Sequence, residues 1–82
     1  MTTDELAAEV VRFERMVAAV RSALDRLLAA RSELHHAHGH AHPAAVEPAV
    51  VAALDLAIVA MRGQLASTQA MHAHALAFLD AR

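Results

Sequence analysis

Histidine is the residue type with the most evident chemistry in this chain of 82 residues. Five of the seven histidines fall within eight residues around Gly39, namely His35, His36, His38, His40 and His42. Imidazole nitrogen binds Zn²⁺, Ni²⁺ and Cu²⁺ well, and a tetrahedral zinc ion needs only three or four donors. In an extended segment the even-numbered histidines point to one side, and in a helix they pair at four-residue spacing. Either geometry allows chelation, so this segment is the candidate metal site.

The alternative interpretation of the same histidines is a polar, solvated turn that binds metal weakly and without a dedicated site. The chain contains no cysteine, and the spacing of the histidines matches none of the usual zinc motifs. Composition also restricts the partners. Seven arginines, no lysine and nine acidic residues give a formal net charge of −2, which lacks the basic surface that nucleic-acid binding requires. No residue pattern indicates catalysis, and we expect a protein that is not an enzyme.

A first long helix is expected to lead into the histidine-rich segment. Thr2 and Glu5 form a capping-box pattern, which predicts that the helix begins near residue 3 and runs to about residue 38. Apolar residues recur along it in alternating steps of four and three. These seam residues are Leu6, Val10, Phe13, Val17, Val20, Leu24, Leu27 and Leu34. Arg31 also falls on the seam, where we expect its aliphatic stem to pack while the guanidinium reaches water.

A second long helix is expected after a turn. Gly39, Pro43 and Pro48 interrupt the periodicity, so the turn is placed at 39–47 and the second helix at 48–80. Its seam residues are Val51, Leu54, Ile58, Met61, Leu65, Thr68, His72, Ala75 and Leu79. Two helices of similar length with a short connection fold back as an antiparallel hairpin. Residue numbers in facing layers should then sum to about 86, which sets His72 beside Phe13 as a satisfied core histidine with Glu14 as its bonding partner.

The outer side of the second helix is also uncharged, which predicts an interface. Its residues are Leu56, Ala60, Gly63, Ala66, Ala70, Ala73 and Ala77. Gly63 costs about 1 kcal/mol relative to alanine in a helix interior, and close approach of another backbone is the usual compensation. A lone hairpin without disulfides also has too little core to be stable. We therefore expect one all-α domain over residues 1–82, an antiparallel two-helix hairpin that dimerises into a four-helix bundle with itself or with a homologous hairpin.

A membrane span is not expected, because Asp55 and Arg62 interrupt the apolar run of the second helix. The acidic start Met1-Thr2-Thr3-Asp4-Glu5 does not resemble a cleavable secretory signal. Composition leaves the compartment open, either cytoplasmic or secreted without a leader.

The chain resembles the ESAT-like or WXG superfamily, the small helical-hairpin proteins of type VII secretion systems. The resemblance covers the whole chain: its length, its leaderless start and the position of Gly39. Ala37-His38-Gly39 stands where that family has Trp-x-Gly, and the family's Tyr-x-x-x-Asp/Glu export motif is not found before Arg82. The resemblance implies pairing of two hairpins as a four-helix dimer and an association with type VII secretion.

A metal titration distinguishes the two interpretations of the histidines. A dedicated site predicts that protein purified without an affinity tag binds Zn²⁺ or Ni²⁺ more tightly than a His38→Ala/His40→Ala/His42→Ala variant, because three donors are removed. Isothermal titration calorimetry measures both affinities. Equal, weak affinities for the two proteins would mean a solvated turn.

Overall fold

The computed structural model describes the backbone of residues 1–40 and 47–82, and the side chains of residues 1–36 and 47–82. Two α-helices make up the fold: α1 spans Thr3–His40 and α2 spans Pro48–Asp80. They pack side by side along their length in a particle of 60 × 15 × 14 Å. The predicted all-α hairpin is therefore confirmed for the described part of the chain.

The start of α1 follows from its capping residues. The Glu5 amide donates a hydrogen bond to Thr2 Oγ1 at 3.1 Å, and the Leu6 amide donates to the Thr2 carbonyl at 3.0 Å. These bonds satisfy amides that have no partner within the helix. The end of α1 differs from the expectation. The helix continues through Gly39 to His40, two residues beyond the predicted end, so the backbone of Gly39 is helical and does not form a left-handed cap.

The start of α2 lies at Pro48, as predicted. Glu47 before it has extended backbone angles, with φ of −71° and ψ of 134°. Its carbonyl accepts hydrogen bonds from the amides of Val50 at 3.0 Å and Val51 at 3.3 Å. Proline suits the first helical position because that position needs no amide donor and because its fixed φ is already helical. Most of the predicted turn lies outside the described residues.

The core is a single seam between the two helices. Among the side chains that the structure describes, seven are buried, and all belong to the predicted seams: Leu6, Val10, Val20, Leu24, Ile58, Thr68 and Ala75. The most deeply buried is polar, and the Thr68 hydroxyl donates to the Gln64 carbonyl of its own helix at 2.8 Å. No described side chain is completely shielded from solvent. Two helices in one layer leave each seam residue with an open flank, so the core is only one residue deep.

Two polar contacts across the seam define the register of the helices. Arg31 Nε donates to Asp55 Oδ1 at 2.7 Å. At the other end, His72 Nε2 lies 3.5 Å from Glu14 Oε1. The residue numbers of both pairs sum to 86, which is the predicted register. The Arg31 side chain is 33% exposed, and its guanidinium also pairs with Asp55 of α2, which the sequence did not predict.

Breaking the Arg31–Asp55 pair should lower the free energy of unfolding by a small but measurable amount. Both side chains are partly exposed, 33% and 52%, so solvent screens the pair and a coupling energy of about 0.2–1 kcal/mol is expected. A double-mutant cycle with Arg31→Gln and Asp55→Asn, followed by urea unfolding at fixed protein concentration, measures this energy. Arg26→Gln on the exposed side of α1 is the control. Zero coupling between positions 31 and 55 would show that the contact does not hold the register.

Candidate functional site: the outer face of α2

The histidines are divided between described and undescribed parts of the chain. His35 and His36 are exposed near the end of α1. The side chains of His38 and His40, and the whole of His42, lie outside the described residues. Within the side chains described at 1–36 and 47–82, no three histidines, aspartates or glutamates come together as a metal-binding group. The metal site therefore stays a prediction.

The seven predicted interface residues lie together along one exposed side of α2. With Val59 added, they form the surface that we call the outer face: Leu56, Val59, Ala60, Gly63, Ala66, Ala70, Ala73 and Ala77. Leu56 is 71% exposed and Val59 is 66% exposed, although both are large and apolar. Scattered surface leucines are ordinary, but an uncharged, largely apolar strip over about six turns of a helix is typical of a binding surface, even with Ser67 and His74 on the same side.

Gly63 lies near the middle of this face. A Cβ atom built at this position would meet nothing within 4 Å, so α1 does not approach Gly63. The backbone is helical and needs no positive φ. The expected close approach of another backbone is thus not provided by the hairpin itself. Among the described residues, no contact at Gly63 compensates for the conformational entropy that glycine loses in a helix.

Large apolar side chains beside the outer face were not identified from the sequence. Val50, Met71 and Phe78 on α2 are all exposed. Met71 and Phe78 line an apolar groove of about 610 Å³ at the open end of the hairpin, where Leu6 and Phe13 form the opposite wall. A heptad assignment that included the positions flanking the seam would have found these residues, because each lies one position before a seam residue.

Charge is distributed unequally between the two helices. Eleven of the sixteen charged residues belong to α1, and only Asp55, Arg62 and Asp80 belong to α2. The outer face carries none of them. Since α1 presents its charges to solvent, α2 is the helix that is unsuited to remain exposed.

Helix α2 is long and apolar enough to cross a membrane, by length and composition only. The qualifying 18-residue stretch is only 6% buried in the hairpin. The core helix of a soluble protein passes the same test, so the finding is weak evidence. It leaves the expected absence of a membrane span as a prediction.

His72 occupies the seam position predicted for it, but it is not a satisfied core histidine. Its Nε2 atom is buried and has no hydrogen-bond partner. Glu14 Oε1 is close enough for an ion pair at 3.5 Å, yet the geometry between the two atoms is not that of a hydrogen bond. The predicted neighbour is thus correct and the predicted bond is absent.

Comparisons of the chain with known protein families, curated proteins and solved structures found no match.

Replacing His72 with leucine should stabilise the hairpin. The change removes a buried nitrogen without a hydrogen bond and adds apolar contact in the seam, for which we expect a gain of about 1 kcal/mol in the free energy of unfolding. Urea unfolding of His72→Leu measures it. His35→Leu, at an exposed site on α1, is the control for helix propensity. A loss of stability in His72→Leu alone would mean that the contact with Glu14 is favourable.

Proposed function

We propose that this protein is a non-enzymatic interaction or structural protein that works by pairing with a second helical hairpin through the outer face of α2. The pair forms a four-helix bundle, and its second member is another copy or a homologous hairpin. The observation that carries the proposal is the outer face itself, an uncharged and largely apolar strip of exposed residues along α2.

The total exposed surface supports the proposal that a single hairpin is only part of a larger assembly. The chain exposes 5836 Å², whereas the size scaling of folded monomers gives about 4,700 Å² for a mass of 8.7 kDa. The excess of about 1,100 Å² is greater than the roughly 800 Å² that each partner contributes to a standard protein interface. A thin, elongated hairpin can lose this excess only by associating with something.

The charge distribution favours a protein partner over a lipid bilayer. Asp55 near the middle of the apolar stretch is paired with Arg31 of α1, and α1 packs along α2 with its eleven charged residues. Insertion of α2 would bring those charges into hydrocarbon or would break the hairpin, and both are costly. A second apolar helix covers the outer face without either cost.

The biological setting suggested by the resemblance is type VII secretion. The support for it is the hairpin architecture, which the described residues share with that superfamily as expected from the sequence. Genes for a secretion ATPase beside the gene for this protein would support this setting, and genes for metal transporters would favour the metal-binding alternative.

Charges placed on the outer face should abolish association. In Leu56→Glu/Val59→Glu, two buried carboxylates would have no partner, so we expect the assembly to fall to a single hairpin of 8.7 kDa. Light scattering and sedimentation velocity at micromolar concentration measure the mass. The matched control is Val11→Glu on α1, where valine is 42% exposed; this variant should keep the assembly mass.

The particle mass and the vesicle binding of the unmodified protein distinguish the proposal from the alternative functions. A folded particle of 8.7 kDa with no partner in solution would exclude self-association and leave only a homologous hairpin as the partner. If the whole protein floats with neutral phosphatidylcholine vesicles and Leu56→Glu/Val59→Glu abolishes this flotation, the outer face binds a membrane surface. That result would overturn the proposal.

A further inference from the structure

We propose that the hairpin covering the outer face of α2 is a second copy of this chain, packed antiparallel, with the two-fold axis beside Gly63. This inference rests on the proposed function and adds the identity of the partner and the geometry of the interface. It is drawn from the unequal distribution of large and small side chains along α2.

The outer face has its large aliphatic side chains before Gly63, whereas the large exposed side chains after Gly63 include Met71, His74 and Phe78. Leu56 and Val59 lie in the first half of the outer face, and both are more than half exposed. The second half contains Ala66, Ala70, Ala73 and Ala77, with Ser67 and His74 exposed among them. Residue 63 is also within one position of the centre of α2, which spans Pro48–Asp80.

An antiparallel pair related by an axis at Gly63 places large residues against small ones. Residue numbers across the interface then sum to 126, so Leu56 lies over Ala70 of the second copy. By the same sum, Val59 lies over Ser67 and His74 lies over Ala52 of the second copy, so large side chains again meet small ones. The two-fold axis repeats each contact, which makes the surface complementary to itself.

A parallel pair lacks this complementarity. It would place Leu56 against Leu56 and Ala70 against Ala70, so the helices would be forced apart at one end and leave a gap at the other. Close packing of apolar side chains disfavours both outcomes. Opposed helix dipoles also favour the antiparallel arrangement over the parallel one.

Gly63 acquires a role in this arrangement. The axis brings the two glycines together at the point where the helices are closest, and the open space above Gly63 is filled by the backbone of the second copy. Small residues at a helix contact allow interaxial distances at the low end of about 8–10 Å. This provides the backbone approach that the hairpin alone does not supply.

The area of the outer face reaches the minimum expected of a biological interface. A helix of 33 residues is about 50 Å long and about 10 Å wide. The footprint is therefore about 500 Å² on each copy and about 1,000 Å² in total, which reaches the lower size limit of specific interfaces.

Single cysteines test the geometry, since the natural chain has none. Ala49 and Ala77 are exposed, lie on the line of Gly63 and have numbers that sum to 126. In the proposed dimer, Ala49→Cys of one copy lies opposite Ala77→Cys of the other, while two copies of either cysteine are about 42 Å apart. The two variants are mixed, equilibrated and treated with a short bismaleimide cross-linker.

The expected result is a covalent dimer from the mixture and no cross-link from either variant alone. Cross-linked dimers from each variant alone would show a parallel pair, and a dimer of correct mass without cross-links in any sample would show another interface. Both results overturn this inference and leave the proposed function intact. A monomeric mass for the unmodified protein would instead remove self-association altogether.

Substitution at the axis gives a second test. Gly63→Leu should raise the dissociation constant of the dimer about tenfold or more, because two leucines cannot fit where the backbones touch. The hairpin itself has room for this side chain, so its helical circular dichroism should be retained. Ala19→Leu, at an exposed site on α1, is the matched control. An unchanged dissociation constant in Gly63→Leu would exclude the axis at Gly63.

Discussion

A two-helix hairpin provides each helix with one neighbour, and this constraint governs the whole molecule. Helix α1 has one apolar side and one charged side, so a single neighbour satisfies it. Helix α2 has apolar residues on both sides, and α1 covers only the seam. The thin core, the excess of exposed surface and the open space at Gly63 all follow from this imbalance. The proposed assembly is the arrangement that gives α2 its second neighbour.

Polar groups specify how the two helices align along their common seam. Heptad seams of aliphatic residues can slide past each other with little change in buried apolar area. The Arg31–Asp55 contact lies toward the closed end of the hairpin, and the approach of His72 to Glu14 lies toward the open end. A shift by one heptad would separate both pairs and place Thr68 beside different residues of α1. Weak interactions can therefore select a register even where they contribute little to stability.

The same reasoning relates the surface of the hairpin to its partner. A partner for α1 would have to match a mixture of acidic and basic side chains. A partner for α2 needs only an apolar surface with the inverse distribution of large and small residues, and α2 itself has that distribution. Self-recognition thus requires no second gene product. The groove beside Phe78 and Met71 lies next to this surface, so a partner that covers the outer face would also shield part of the groove.

Much of this architecture was determined by the sequence alone. Heptad spacing identified every buried residue in the described part of the chain. The capping pattern at Thr2 and the proline at position 48 located both helix starts, and a short turn between long helices required the antiparallel register. These features depend on local periodicity and backbone sterics, and both follow directly from the order of residues along the chain. Tertiary structure decided what depends on distances between helices. Arg31 binds Asp55, His72 lacks a hydrogen bond to Glu14, and α1 leaves Gly63 uncovered, because side-chain geometry across a seam is not encoded in the spacing along either helix.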